Sequence, residues 1–166
     1  MIALHEIVMR SRTKAFGHPV HAILVAFPIG LWIVSFVFDL VYVWTRDIFW
    51  YRISFWDLIA GTAGACAAAI PGLIDFSHIP GSHPASKTAA NHLMAALSVV
   101  TLYLVDTVLR INLKAASGRL LTVVVILSAA NICLLGLVGW LGGELVFKHG
   151  VGVETGPGNG LTDHDG

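Results

Sequence analysis

Six side chains able to ligate a metal or a haem iron recur beside apolar segments: His18, His21, Asp75, His92, Glu144 and His149. Imidazole suits iron, copper and zinc, and added carboxylates suit a bare or two-metal centre. Paired imidazoles alone suit the axial positions of a b-type haem. Ionisable groups at a membrane boundary are costly, so several at one depth make a functional-site hypothesis. Whether these six share a depth depends on the elements that carry them.

Four apolar runs supply those elements, from about Val20 to Trp44, Phe55 to Phe76, Ala89 to Leu109 and Leu120 to Phe147. Hydrophobic residues make up 56% of the chain and charged residues 12%, with a mean hydropathy of +0.78. Soluble domains carry about 25% charged residues. A helix of roughly 20 apolar residues crosses the hydrocarbon core. Lipid offers no partner to backbone polar groups, so each run is expected to be a helix. The expected architecture is all-α, an up-down-up-down four-helix transmembrane bundle over 20–149. An interfacial segment, 1–19, precedes it, and a Gly-rich flexible tail, 150–166, follows. The first run is too long for a signal h-region, so no cleavable leader is expected. Ten basic and ten acidic residues balance, leaving no basic stripe for nucleic acid.

The connections fix the topology. Thr45 to Ser54 is polar and aromatic, with Trp44, Trp50, Tyr51 and Trp56 forming an interfacial belt. Ser77 to Lys87 holds the helix breakers Pro80, Gly81 and Pro84, and Asn112 to Gly118 is short. Short links make sequential helices antiparallel neighbours. Both termini therefore fall on one side, with Arg10, Arg12, Lys14, Lys87 and Lys148. The other side holds Arg46, Arg52, Arg110, Lys114 and Arg119. Five basic residues on each side give the positive-inside rule nothing to choose between, so the orientation stays open. No internal repeat stands out. Cys66 and Cys133 form no metal or disulfide pattern and are expected to be inert, buried small hydrophobes.

In this topology His18 and His21 open the first helix and Asp75 closes the second. His92 lies near the start of the third, Glu144 near the end of the fourth, and His149 just beyond. All six fall within about two helical turns of depth. His21, Val25, Pro28, Trp32 and Asp39 form one stripe, and His92, Val99, Tyr103, Asp106 and Arg110 another. Glu144 and His149 stand about 140° apart on a regular helix. His149 therefore needs an unwound end, which Gly142, Gly143 or Gly150 would permit. Gly61, Gly64, Gly72 and the alanines around them, Ala89 to Ala96, and Gly139 with Gly143 allow close helix packing or a slot for a flat macrocycle; packing is the commoner reason. Toward the opposite face lie Asp39, Asp57, Asp106 and Arg110, of which the last two can pair across one turn. Few polar residues stand between the two ends to relay a proton.

Three segments carry a family resemblance: Gly17-His18-Pro19-Val20-His21 with Phe27-Pro28-Ile29-Gly30, Gly72-Leu73-Ile74-Asp75-Phe76, and the run from Gly139-Trp140-Leu141-Gly142-Gly143-Glu144 through Val153. From about Gly17 to Val153 the chain resembles the bacterial membrane-protein family called domain of unknown function 2231. The resemblance implies four transmembrane helices in a bacterial inner (plasma) membrane and a histidine opening the third, matched by His92. It implies no settled activity. Fusion of members to Rieske-type iron–sulfur domains hints at electron transfer, by association only. His78 and His83 fall in the variable loop and receive no role.

The expected function is an integral membrane redox protein holding haem b. His21 and His92 would reach the iron across the bundle's diagonal, with His18 and His149 as a second pair. Asp75 and Glu144 would hold the imidazoles by their second nitrogen. The partners would be the lipid bilayer and a redox protein or membrane complex. One alternative is a non-haem transition metal at all six residues, although the Glu-x-x-His spacing of di-metal bundles is missing. Another is a cofactor-free structural subunit, for which six polar groups are inefficient at about 0.6 kcal/mol per interhelical pair. No nucleophile or acid–base pair stands apart from the ligands, which favours electron transfer over substrate turnover.

Overall fold

A computed structural model describes residues 11–111 and 116–153. A small hairpin, β1 (Lys14–Ala15) and β2 (His18–Pro19), leads into α1 (Val20–Leu24) and α2 (Ala26–Thr45). Then follow α3 (Ile48–Ser77), α4 (Ala85–Arg110) and α5 (Gly118–Phe147). Four spans, Val20–Thr45, Ile48–Ser77, Ala85–Arg110 and Gly118–Phe147, are long and apolar enough to cross a membrane. The first is divided at Val25, one turn before Pro28, which has no N–H to offer the Leu24 carbonyl. The hairpin turn is Phe16-Gly17, with φ of 51° and 83°. Two successive positive φ values suit the tight turn of a twisted hairpin, and Gly17 makes the second free of strain. His18 therefore sits in an exposed strand and does not open the first helix.

The second helix begins earlier than its apolar run. The expected loop from Thr45 to Ser54 shrinks to Arg46 and Asp47. Arg46 closes α2 with a left-handed φ of 59°, and the Asp47 side chain accepts the Phe49 N–H to open α3. The drop in hydropathy at Trp50, Tyr51 and Arg52 suits a membrane edge, where a helix continues unhindered. The third helix likewise starts at Ala85, whose N–H bonds to His83 Nδ1. Most of the last connection, 112–115, lies outside the described residues, as do 1–10 and the tail from 154 onward. Cys66 and Cys133 are exposed on the outer surface of the bundle and are not buried as expected.

The helices form a ring, α2 beside α3, α3 beside α4, α4 beside α5, and α5 closing on α2. The apolar distribution is inverted relative to a soluble bundle. Phe27, Trp44, Trp56, Ile126 and Trp140 face outward, while Asp39, Asp106, Arg110, Ser54, Ser128 and Asn131 are buried. This is the order expected when lipid surrounds the bundle and polar groups must find partners inside.

The burial pattern exposes a repeat that residue identities conceal. On α2 the buried positions Pro28, Trp32, Ser35 and Asp39 recur on α4 as Val99, Tyr103, Asp106 and Arg110. Asp39 and Arg110 are 71 positions apart. Tyr51, Ser54, Leu58, Gly61 and Ala65 on α3 recur on α5 as Leu121, Val124, Ser128, Asn131 and Leu135, at a spacing shorter by one. The molecule is thus two parallel helical hairpins related by a pseudo-two-fold axis along the bundle. Residues nearest the axis meet their own counterparts. Trp32 stacks on Tyr103 with centroids 4.1 Å apart and planes 16° apart, and Asp39 pairs with Arg110.

A Cβ at Gly61 would lie 2.8 Å from the Trp32 indole, which is 3% exposed and fixed by that stack. Gly61→Ala should lower thermal stability in detergent by about 1–3 kcal/mol, the usual cost of overpacking. Gly136→Ala, with open space at its Cβ, should not. Equal melting temperatures for the two variants would refute this account of the core.

Candidate functional site

His21 and His92 occupy matching places in the two hairpins. His21 Nδ1 donates to the Ala68 carbonyl of α3 at 2.8 Å, and His92 Nδ1 donates to the Val138 carbonyl of α5 at 3.1 Å. A carbonyl only accepts, so each ring carries a proton on Nδ1, and the neutral ring then has its lone pair on Nε2. Each imidazole also rests on a glycine one turn beyond the accepting carbonyl. A Cβ at Gly72 would lie 2.7 Å from His21 Nδ1, and one at Gly142 would lie 3.3 Å from His92 Cε1. A backbone carbonyl on Nδ1 with Nε2 free is the usual preparation of a histidine for coordination.

The other four candidates have local partners or stand apart. Asp75 grips the N-terminal segment: Oδ1 accepts the backbone N–H groups of Arg12 (2.8 Å) and Thr13 (3.2 Å). Its Oδ2 accepts the hydroxyls of Ser11 (2.8 Å) and Thr13 (3.1 Å). Glu144 pairs with Lys148 at 2.6 Å. His149 Nε2 stands 3.5 Å from Thr88 Oγ1, and His18 is exposed in β2. The fourth helix ends at Phe147, ahead of His149. Gly150, with φ of 63°, follows the last turn, and Val151 N–H reaches back to the Leu145 carbonyl. Among the described residues no three His, Cys, Asp or Glu side chains are grouped to hold a metal ion. His78 and His83, given no role, serve the helix ends: His78 Nδ1 bonds the Ile74 carbonyl, and His83 caps α4.

A family model described as predicted membrane protein (DUF2231) matches residues 17–155. The chain belongs to the DUF2231 family. No curated protein and no solved structure matches it.

Two features of this DUF2231 protein escape inspection of the ligands alone. The first is the pair of glycine seats, Gly72 and Gly142. The spacing from each histidine to the glycine of its own hairpin partner was the available signal, legible only once the repeat is known. The second is a polar layer at mid-depth. Trp32 Nε1, Tyr103 OH and both side-chain atoms of Asn131 are buried and have no hydrogen-bond partner among the described residues. Each lies 11 residues, roughly 16 Å, from the histidine or glycine on its own helix.

Removing the Asp75 carboxylate leaves the Arg12 and Thr13 N–H groups and the Thr13 hydroxyl without an acceptor, while Ser11 keeps only the Thr13 carbonyl. Asp75→Ala should detach that segment while leaving the bundle folded, measured as faster trypsin cleavage at Arg12 and faster amide exchange at Thr13. Unchanged protection at both positions would show that Asp75 does not hold the segment.

Proposed function

We propose that this membrane protein is an electron carrier that holds a b-type haem between His21 and His92. The observation that carries the reading is the pair of matched Nδ1 hydrogen bonds, which leave an Nε2 lone pair free on each half of a pseudo-symmetric bundle. A bis-imidazole haem iron supplies a one-electron couple whose potential follows ligand basicity and site polarity. The Ala68 and Val138 carbonyls orient the rings and strengthen Nε2 as a donor. Gly72 and Gly142 admit the rings against α3 and α5. The Trp32–Tyr103 stack closes the bundle beneath this layer, and Asp75, one turn from Gly72, ties the N-terminal segment over the same end. His18 and His149 lie at the rim, where a redox partner protein would approach. With no third ligand grouped beside them among the described residues, the two imidazoles suit an iron that brings its own equatorial nitrogens better than a bare ion.

The test is a reduced-minus-oxidised optical spectrum of the protein purified from haem-replete membranes. Sharp α and Soret bands are expected in the parent, and their loss is expected in the His21→Ala/His92→Ala double variant. Bands that persist in the double variant would overturn the ligand assignment. A parent without bands but with stoichiometric iron, copper or zinc would favour the non-haem reading. A parent with neither would leave a cofactor-free subunit.

A further inference from the structure

At the end of the bundle opposite the imidazoles, all four helices contribute to one buried cluster. Arg110 (1% exposed), Asp39 (1%) and Asp106 (0%) stand among Ser54 and Ser128. Arg110 Nη1 and Nη2 donate to Asp39 Oδ1 and Oδ2, each at 2.6 Å. Its bonds to Asp106 are longer, 3.0 Å from Nε and 3.3 Å from Nη2. Two carboxylates against one guanidinium leave one negative charge in excess. An uncompensated charge at bilayer depth is expensive, and such groups recur where protons or ions are carried.

Hydrogen counting locates the missing positive charge. Arg110 Nη2 has two hydrogens and three acceptors in reach, Asp39 Oδ2, Asp106 Oδ2 and Ser128 Oγ. Ser128 Oγ has one hydrogen, yet lies 3.2 Å from Asp39 Oδ2 and 2.9 Å from Asp106 Oδ2. With both carboxylates ionised, three hydrogens serve five oxygen contacts, and Ser128 faces one carboxylate lone pair to lone pair. A proton on Asp106 Oδ2 removes both the charge excess and that conflict. Asp106 donates to Ser128, and Ser128 donates to Asp39, which keeps its short bidentate ion pair.

A second observation points to exchange with water. The hydroxyls of Tyr51 and Tyr103 are buried and lack partners among the described residues. Tyr51 lies with its ring centroid 5.7 Å from Arg110 Cζ. Tyr103 precedes Asp106 by one turn on the same buried face. Each hydroxyl requires an acceptor, and a water that satisfied it would also be a carrier by which a proton reaches or leaves Asp106.

We propose that the Asp39–Asp106–Arg110 cluster is a proton-binding site within the membrane, with the proton on Asp106. The proton is taken from or returned to water as H⁺, so no other reactant is involved. The groups facing it are Asp39 from α2, Tyr51 and Ser54 from α3, Tyr103 and Arg110 from α4, and Ser128 from α5. The site stands independently of the haem reading.

The test is infrared spectroscopy of the full chain in lipid nanodiscs at neutral pH, with thermal melts of the same samples. The parent should show a protonated-carboxyl C=O band that shifts in deuterium oxide. Asp106→Asn, which replaces a neutral acid by a neutral amide of the same shape, should lose that band and keep the parent melting temperature. Asp39→Asn should lower the melting temperature. The proposal is overturned if the parent has no band that Asp106→Asn removes, or if Asp106→Asn destabilises as much as Asp39→Asn or fails to fold. It is equally overturned if the parent's melting temperature rises with sodium or potassium, which would assign the balancing charge to a metal cation. The Asp106→Asn band stands alone as the readout should Asp39→Asn prove unfoldable.

Discussion

Arg110 is the point at which the four helices are joined. Its guanidinium bonds Asp39 of α2, Ser54 of α3, Asp106 of its own α4 and Ser128 of α5. In lipid the hydrophobic effect does not hold helices to one another, so directional bonds and close packing must set their register. A planar guanidinium with partners on all sides does this at one depth, because slipping any helix by a single residue, about 1.5 Å, breaks a bond. The spans are stiff rods, so register fixed at Arg110 is transmitted to the far end. His92 and His21 lie 18 residues from Arg110 and Asp39 respectively, roughly 27 Å along each helix. Their level arrangement is a consequence of the ion pair as much as of anything near them.

Much of this architecture was legible in the sequence, for identifiable reasons. Four runs of spanning length leave few alternatives in lipid, and the stripe from His92 through Val99, Tyr103, Asp106 to Arg110 is the buried face of α4. The start of α3 was not legible, because hydropathy reports the membrane edge while a helix ends only where its backbone bonds do. The outward placement of Cys66 and Cys133 was missed because a rule drawn from soluble cores does not apply where the exterior is lipid. The repeat was hidden because counterpart positions keep depth and burial while changing chemistry: Ser54 becomes Val124, Leu58 becomes Ser128, and Gly61 becomes Asn131.

The candidate site was legible in depth but not in grouping. Sharing a level on a bundle does not bring side chains to one point, since each helix also has a direction in which its residues face. Asp75 shows the difference. Its position matched a ligand layer, yet its oxygens are filled by the backbone and hydroxyls of residues 11–13, short polar contacts that no spacing rule reports. His21 and His92 stand apart because the repeat gives them the same direction as well as the same depth. At mid-bundle, Trp32, Tyr103 and Asn131 bury polar atoms that have no hydrogen-bond partner among the described residues, which a count of charged residues does not report.

The pseudo-two-fold axis has a further consequence for what one chain can do that two copies of a hairpin cannot. In a symmetric pair of hairpins, any residue on the axis faces its own duplicate, so an acid would meet an acid and a guanidinium another guanidinium. Joining the halves in a single polypeptide releases that restriction. One half can place Asp39 where the other places Arg110, turning an unavoidable repulsion into the attraction that closes the bundle, while His21 and His92 keep their likeness. Tandem linkage thus lets one end of the molecule become polarised and the other stay balanced, within the same fold.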